Sequence, residues 1–230
     1  YLGPQQAAIS YSTSLVPMHQ TTFGASVSLP KDEMNQLSLD HTLAIGPGVT
    51  LGANWSLTRA HPGHTLEQFN IDSSSISMGM TLLWQPVRQR QKNISFSATL
   101  EGKNVSSDIL GAPLTRDHIR ALRLRGYFDG ADPWEGYNVA NLTLSRGLDI
   151  FSATEAGYLY ASRAQAAPDF TKMELSWMRQ QSVLTDWLLY TAAAGQYAPD
   201  PVYSSEEFGY GGQSFGRAYD ASEITGEKGV

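Results

Sequence analysis

One segment near the end of the chain matches a catalytic motif. Gly212-Gln213-Ser214-Phe215-Gly216 fits G-x-S-x-G, in which a serine at a sharp strand-to-helix turn is the nucleophile of a hydrolase. Such a serine needs a histidine later in the chain, but the last histidine here is His118, and no helical pattern follows Ser214. A chance match in a segment rich in glycine and serine explains the motif better. We predict that the protein is not an enzyme.

Two further groups of residues have the types needed for chemistry. His61 and His64 lie three residues apart and could contact a metal ion, but no third ligand is evident, and zinc sites use three or four. The chain has no cysteine, which excludes thiolate sites and disulfides. Asp129 and Asp132 belong to Asp-Gly-Ala-Asp-Pro, which is more typical of a tight turn than of a carboxylate pair. We expect no metal site and no cofactor.

The composition excludes some partners. The net charge is -6 and the pI is near 5.3, which argues against a general nucleic-acid binder. Charged residues make up 17% of the chain, below the roughly 25% usual for soluble domains. Serine, threonine, glycine and asparagine supply the polarity instead. The polar positions must therefore face an environment that favours small, uncharged side chains.

No segment resembles a membrane-spanning helix or a signal peptide. The longest apolar runs, such as Trp187 to Tyr190, have four residues, whereas a spanning helix needs ~20. Tyr1 to Ser10 lacks a basic start and an apolar core. Because the chain begins without methionine and ends within a loop-like segment, we interpret it as a piece of a longer protein.

Alternation with a period of two dominates the sequence before residue 200. From Val49 to Thr58, apolar residues alternate with small or polar ones, which gives a strand one apolar face. His41 interrupts the apolar face of one such segment, and a bulge is one explanation. Ten strands are predicted, near residues 5–15, 20–29, 35–45, 49–59, 74–84, 92–103, 118–128, 137–148, 170–180 and 185–198.

The lengths of the strands and their connections favour a membrane barrel. Several strands have about ten residues, which suits a tilted strand that crosses a bilayer. Short connections are predicted at 16–19, 46–48, 85–91, 129–136 and 181–184. They alternate with connections at 30–34, 60–73, 104–117, 149–169 and from 199 onward, of which all but the first are long. Short turns at one end and long loops at the other are typical of outer-membrane barrels.

A soluble sandwich of two sheets is the alternative. It predicts charged residues on the polar positions, but these are mostly Ser, Thr, Gly and Asn. Aromatic residues near strand ends are compatible with the girdles of a membrane barrel, namely Trp55, Trp84, Tyr127, Phe128, Trp177 and Trp187. We therefore predict an all-β, antiparallel transmembrane β-barrel domain over residues 1–230. Residues 1–200 would form barrel strands. Residues 201–230 would form a loop, because their apolar residues follow neither the period of a strand nor that of a helix.

Several motifs resemble one known family. Trp84-Gln85-Pro86-Val87-Arg88-Gln89-Arg90 resembles the Pro-apolar-Arg-x-Arg turn of two-partner secretion outer-membrane transporters. Ser145 to Leu148 and Gly195 to Ala198 are also similar to segments of those barrels. The tail resembles the sixth extracellular loop, which these transporters share with barrel-assembly factors. The resemblance rests on Ser204 to Phe208, Gly211-Gly212, Arg217-Ala218-Tyr219-Asp220 and Glu223 to Glu227.

The resemblance implies a sixteen-stranded barrel in the bacterial outer membrane, preceded by two periplasmic domains that receive the client. The ten strands would be the second to eleventh, and residues 201–230 the sixth loop, which folds into the lumen. It implies that Arg217 pairs with an acid beyond Val230. The implied loop motif consists of Gly211, Gly212, Arg217, Ala218, Tyr219, Asp220 and Gly226.

Two positions depart from the family pattern. Ala218 stands where the family usually has glycine, and Glu227 where it often has aspartate. The implied loop role therefore attaches more firmly to Arg217 and Tyr219 than to position 218.

The resemblance implies export of an unfolded partner exoprotein by a monomer in contact with outer-membrane lipid, without nucleic acid. Barrel assembly and a passive porin or surface-binding domain remain open alternatives.

Overall fold

The computed structural model describes residues 5–14, 16–29, 33–184, 186–211 and 224–230 of the chain. Ten long strands follow one another: β1 (Gln5–Thr13), β2 (His19–Leu29), β3 (Met34–Gly46), β4 (Val49–Ala60), β5 (Ile71–Arg88), β6 (Lys92–Ile109), β7 (Ala112–Ala131), β8 (Gly136–Gly147), β9 (Thr171–Leu184) and β10 (Trp187–Tyr197). Three short strands follow: β11 (Phe208–Tyr210), β12 (Ile224–Gly226) and β13 (Lys228–Gly229). Short 3₁₀ helices cover His64–Phe69 and Ser204–Glu206.

All long strands form one antiparallel meander. The sheet has the order β1 to β10 followed by β13, and each strand pairs with the next along the chain. β11 and β12 form a separate two-stranded ribbon. Such a meander is the wall of an up-and-down barrel, and the predicted all-β, antiparallel barrel fold is confirmed.

The two faces of the sheet differ as the alternation predicts. The apolar face carries large side chains that no other layer covers; Leu82, Phe96 and Leu124 are 47%, 47% and 49% exposed. A sandwich would bury such a face under a second sheet, and an uncovered apolar band of this size indicates contact with lipid. The opposite, polar face carries mainly small hydroxyl and amide side chains, some of which pair with each other, as do Thr81 and Thr99 at 2.8 Å.

His41 lies on the apolar face without a bulge at its position, since it pairs in register with Thr21 and Ala53. Its two ring nitrogens have polar partners on β2: His19 Nδ1 at 3.2 Å and Thr21 Oγ1 at 2.9 Å. The suggested bulge is therefore wrong. A local cluster of polar groups accommodates the imidazole instead.

The long loop predicted at residues 104–117 is not present. β6 and β7 continue through this region and meet in a two-residue turn, Leu110-Gly111, where φ is 52° and 77°. The prediction failed because the apolar alternation ends near Leu100, while the strands continue with polar residues on both faces. Serine pairs such as Ser73–Ser107, at 2.9 Å, join β5 to β6 there.

The long strands β5, β6 and β7 extend beyond their neighbours at the end of the sheet where the long loops lie, and we call this extension the wall. The β8–β9 loop (residues 148–170) returns along the edge of this wall: Leu148 N–H donates to the Arg120 carbonyl at 2.8 Å, and Arg116 N–H to that of Tyr160 at 2.6 Å. A small buried core forms between wall, loop and tail from Ile119, Ala121, Ala166, Phe170, Ala198, Val202 and Tyr203. Among the described residues, no helix has the length and apolarity needed to cross a membrane.

Candidate functional site

The first part of the tail, residues 198–211, packs on the polar face of the sheet; we call it the loop root. Val202 and Tyr203 are fully buried there. The Tyr203 hydroxyl donates a hydrogen bond to the carbonyl of Thr154 in the β8–β9 loop. Burial, and then the negative charges of Asp117, Asp149 and Asp169, raise the pKa of Tyr203 to about 12. The phenol therefore stays a neutral donor.

Glu206, in the 3₁₀ turn of the loop root, binds the guanidinium of Arg123 on β7. Arg123 Nη1 donates to Glu206 Oε2 at 3.0 Å, and Nη2 donates to Oε1 at 2.7 Å. The side chains of Arg123 and Glu206 are only 16% and 3% exposed. This two-point contact between a planar fork and a carboxylate fixes the direction of approach as well as the distance. It places the loop root over β7.

Neighbouring strands complete a charge network around this pair. Lys172 Nζ on β9 lies 2.8 Å from Glu206 Oε2, and Arg123 Nε lies 2.5 Å from Glu101 Oε2 on β6. Arg123 Nη1 also donates to Ser145 Oγ on β8 at 3.0 Å. Negative and positive side chains therefore alternate in the order Glu101, Arg123, Glu206 and Lys172. Each buried charge of this network has a partner of opposite sign.

The backbone of Glu206 is held as well. Its carbonyl oxygen accepts hydrogen bonds from Gln196 Nε2 at 3.0 Å and from Lys172 Nζ at 3.3 Å. Burial raises the pKa of the Glu206 carboxyl, but the hydrogen bonds and charges of Arg123 and Lys172 outweigh it and lower the pKa to about 2. Glu206 is therefore ionised across the physiological range.

Arg163, in the β8–β9 loop, joins the outgoing and returning parts of the tail. Its Nη1 lies 2.8 Å from Glu207 Oε1 and also pairs with Glu227. A backbone hydrogen bond, and then the hydrogen bond from Arg163, lower the pKa of Glu227. The outgoing and returning parts also meet in the ribbon of β11 and β12, where Phe208 pairs with Gly226.

The tail returns to the strand from which it leaves. β13 pairs antiparallel with the end of β10, with Gln196 opposite Gly229 and Tyr197 opposite Lys228. The tail is therefore a loop between two neighbouring strands of one sheet.

The predicted loop motif is only partly within the described residues. Gly211 has φ 114°, in the region that favours glycine, and Gly226 lies in β12. Gly212, Arg217, Ala218, Tyr219 and Asp220 lie outside the described residues, as does Ser214. Their predicted role in the loop therefore stays a prediction.

Sequence reasoning did not single out Glu206, Arg123, Lys172 or Arg163 as site residues. In the sequence, Arg123 and Glu101 are isolated charges among the small residues of the polar face, yet in the structure they form one network. The available signal was the rarity of charge on that face. A charge at a position where small residues are the rule requires a partner.

The other candidates have structural roles. His61 Nε2 lies 3.2 Å from Asp72 Oδ1, while the side chain of His64 is outside the described part. Among the described residues, no three His, Cys, Asp or Glu side chains form a group that could hold a metal ion. Asp132 accepts hydrogen bonds from the backbone N–H groups of Trp134 and Gly136, which confirms the tight turn predicted there.

Comparisons with known proteins agree with this architecture. The sequence profile of the family described as "Haemolysin secretion/activation protein ShlB/FhaC/HecB" matches residues 9–230. CdiB from Escherichia coli is similar in structure, with a TM-score of 0.79 at 15% identity, over 99% of this chain and 43% of that chain. CdiB from Acinetobacter baumannii gives a TM-score of 0.69 at 14% identity, over 97% of this chain and 41% of that chain.

At such identities the structural matches establish the fold alone, and the chain spans about two fifths of the length of these proteins. No curated protein sequence matches significantly. The profile match covers nearly the whole chain. The chain belongs to the haemolysin secretion/activation family ShlB/FhaC/HecB, and it forms part of an antiparallel β-barrel of the bacterial outer membrane.

Proposed function

We propose that the chain is the barrel part of a two-partner secretion transporter that exports a large partner exoprotein across the outer membrane. The family is one of transporters, which supports this kind of function. The observation that carries the proposal is the contact of Glu206 with Arg123 and Lys172 on the polar face. A loop whose root is bound to the lumen wall has a defined position relative to anything that passes through the lumen.

In this proposal the polar face lines the lumen, the short turns lie in the periplasm and the long loops lie outside the cell. Residues 201–230 form the loop that folds toward the lumen. Two periplasmic domains precede the barrel, and the protein acts as a monomer. The placement of the short turns and long loops at opposite ends supports this orientation.

The chemistry of the lumen wall suits the passage of an extended chain. Cross-strand pairs such as Ser12–Thr22 and Thr81–Thr99, each at 2.8 Å, satisfy one another. Hydroxyls that are already hydrogen-bonded bind a passing backbone less strongly than unpaired donors do. The wall then offers few strong binding sites that would slow an unfolded client.

The loop would be anchored at two levels. The described anchor is Glu206 with Arg123 and Lys172. The second is Arg217, which we propose pairs with a carboxylate on a strand beyond Val230, with Tyr219 beside it. In this chain Glu227, which stands where the family often has aspartate, pairs with Arg163. The glutamate can therefore help to hold the returning part of the tail at the loop root.

Export of the partner protein in cells that carry Arg123→Gln tests the proposal. Removing one member of a buried ion pair costs ~3–5 kcal/mol, so we expect about ten-fold less exported partner while the barrel still reaches the outer membrane. Arg125→Gln is the matched control, because Arg125 lies on the same face two residues away and is exposed. Its one side-chain hydrogen bond within the described part of the chain is to Thr143 Oγ1, at 3.4 Å. Unchanged export by Arg123→Gln would exclude the anchoring role. Normal export with defective insertion of other barrels would indicate an assembly factor.

A further inference from the structure

A groove of about 490 Å³ opens on the apolar face of the sheet, at the border where that face becomes polar. Met78, Met80 and Leu100 line its apolar side, and Arg120 lines its polar side. The volume falls within the ~300–1,000 Å³ of small-molecule sites. The groove lies at the long-loop end of the membrane band.

The strand register places this border between two adjacent rows of side chains. In one row, Met78, Gly102 and Arg120 lie side by side on β5, β6 and β7. In the next row, the side chains on the same three strands are Met80, Leu100 and Leu122, so this row is entirely apolar. The glycine leaves the floor of the groove open. A Cβ atom at position 102 would lie 3.6 Å from Arg120 Cδ and 3.7 Å from Met78 Cγ.

Arg120 differs from the other arginines near this rim. Its Nη1 donates to Asn104 Oδ1 and to the carbonyl of Ile119, each at 2.8 Å, which holds the guanidinium in place. Within the part of the chain that the structure describes, Arg120 forms no ion pair, whereas Arg116 pairs with Asp108 and Arg146 with Asp169. The groove therefore combines exposed apolar side chains with a positioned positive charge that has no counterion among the described residues, since Glu101, which also lines the groove, pairs with Arg123.

The β8–β9 loop extends the apolar surface of the groove. Ile150 and Phe151 line it, and Phe151 is 77% exposed. Phe151 and Ser152 both have positive φ, 49° and 56°, an uncommon conformation for non-glycine residues. His118 Nδ1 contacts the carbonyl of Ser152 at 3.2 Å, so the backbone that presents Phe151 is fixed to β7. An exposed aromatic residue held beside a lipid-facing band is suited to the membrane interface.

We propose that this groove binds one phosphorylated glycolipid of the outer leaflet, with an acyl chain along Met78, Met80 and Leu100 and a phosphate at Arg120. The groove is continuous with the lipid-facing band, and its charge is complementary to a phosphate. The assignment to the outer leaflet rests on the orientation proposed above. The lipid would fix the outer rim of β5–β7. The β8–β9 loop lies along the edge of β7, and β7 also carries Arg123 of the loop-root anchor.

Native mass spectrometry of the full-length protein in detergent, titrated with bis-phosphorylated lipid A, tests this site. Arg120→Gln should bind lipid A about ten-fold more weakly, the order expected for one lost charge-assisted contact. Gly102→Leu fills the groove from β6 and should have the same effect. Arg146→Gln is the matched control, since Arg146 lies on the same face but already pairs with Asp169, and it should bind as the wild type does.

The lipid arms identify the ligand. Dephosphorylated lipid A and phosphatidylglycerol should each bind the wild type about ten-fold more weakly than lipid A, and inorganic phosphate should not compete at equal concentration. Equal binding of lipid A by the wild type, Arg120→Gln and Gly102→Leu would show that the lipid does not bind in this groove. If the wild type bound phosphatidylglycerol as tightly as lipid A, the ligand would not be specifically a glycolipid. Export measured in the same variants separates this proposal from the transporter function, because weak lipid binding with normal export leaves that function intact.

Discussion

Arg163 lies between Glu207 and Glu227 and contacts the carboxylates of both, so one guanidinium joins the two ends of the tail. Arg163 belongs to the β8–β9 loop, whereas the two acids lie at one end of the ribbon formed by β11 and β12, Glu207 just before β11 and Glu227 just after β12. The tail is therefore closed at its root by a residue from another loop. The position of the tail depends on the position of the β8–β9 loop.

Arg163→Gln should loosen the root without unfolding the barrel. The Arg163 side chain is 31% exposed, so each ion pair contributes only part of a buried pair, ~0.5–1 kcal/mol. Hydrogen exchange of the amides in β11, β12 and β13 should become several-fold faster, while exchange in β5 to β7 stays unchanged. Arg146→Gln provides the control. Equal exchange rates in β11 to β13 of wild type and Arg163→Gln would show that Arg163 does not hold the two parts of the tail together.

A double-mutant cycle on Arg123 and Glu206 should show strong coupling. Each single change to glutamine leaves the other member of the pair without this partner in a site where Glu206 is only 3% exposed, whereas the double change removes both members. The two effects should therefore be non-additive by ~1–3 kcal/mol. The measurement is hydrogen exchange at residues 203–210. Additive effects would mean that the two side chains act independently.

Acid should release the loop root only at low pH. The pKa of Glu206 is lowered from its ordinary value of 4.5 to about 2, so its contribution to docking is complete above about pH 4.5 and is lost as the pH falls through 2. Because the chain has no cysteine, spin labels at Ser205→Cys and Ser95→Cys report their separation without background. The distance distribution should stay constant from pH 7 to pH 5 and broaden below pH 4.

Glu206→Gln in the same labelled protein is the control for this titration. The part of the transition that depends on Glu206 is the difference between the two proteins. A Glu206-dependent transition centred above pH 5 would disagree with the lowered pKa.

Tyr203→Phe should separate the hydrogen bond of Tyr203 from its packing. The variant loses the bond to the Thr154 carbonyl and leaves that oxygen buried, at a cost of ~1–3 kcal/mol. Tyr203→Leu also leaves a cavity and should cost more, ~3–5 kcal/mol in the range of large-to-small core changes. Protease resistance of the β8–β9 loop should fall in this order. Equal resistance of Tyr203→Phe and wild type would show that water replaces the bond.

The sequence predicts the wall of this barrel better than its loops. Val49 to Thr58 predicts β4 because alternation encodes which face each side chain occupies, and that information is local. The hairpin at Leu110-Gly111 was missed because strands that rise above the bilayer have water on both faces and lose the apolar period. There the strands are held by backbone ladders and serine pairs, which leave no periodic signal.

The anchor of the loop root could not be predicted for a different reason. Arg123 and Glu206 are separated by 83 positions, and only the closure of four strands and a loop brings them together. Their residue types were visible, since charges are rare on the polar face, but the sequence does not specify which acid meets which base.

The height of the β6–β7 hairpin allows its turn to report the orientation of the barrel in whole cells. The eight residues from Ala112 to Ile119 extend beyond the border row at Arg120, so the Leu110-Gly111 turn stands roughly 20 Å above that row at ~3.3 Å per residue on a tilted strand. A Cβ atom added at Gly111 would have no neighbour within 4 Å. An epitope tag inserted at this turn would be stained by antibody on intact bacteria if the turn is extracellular, and only after permeabilisation if the barrel is inverted.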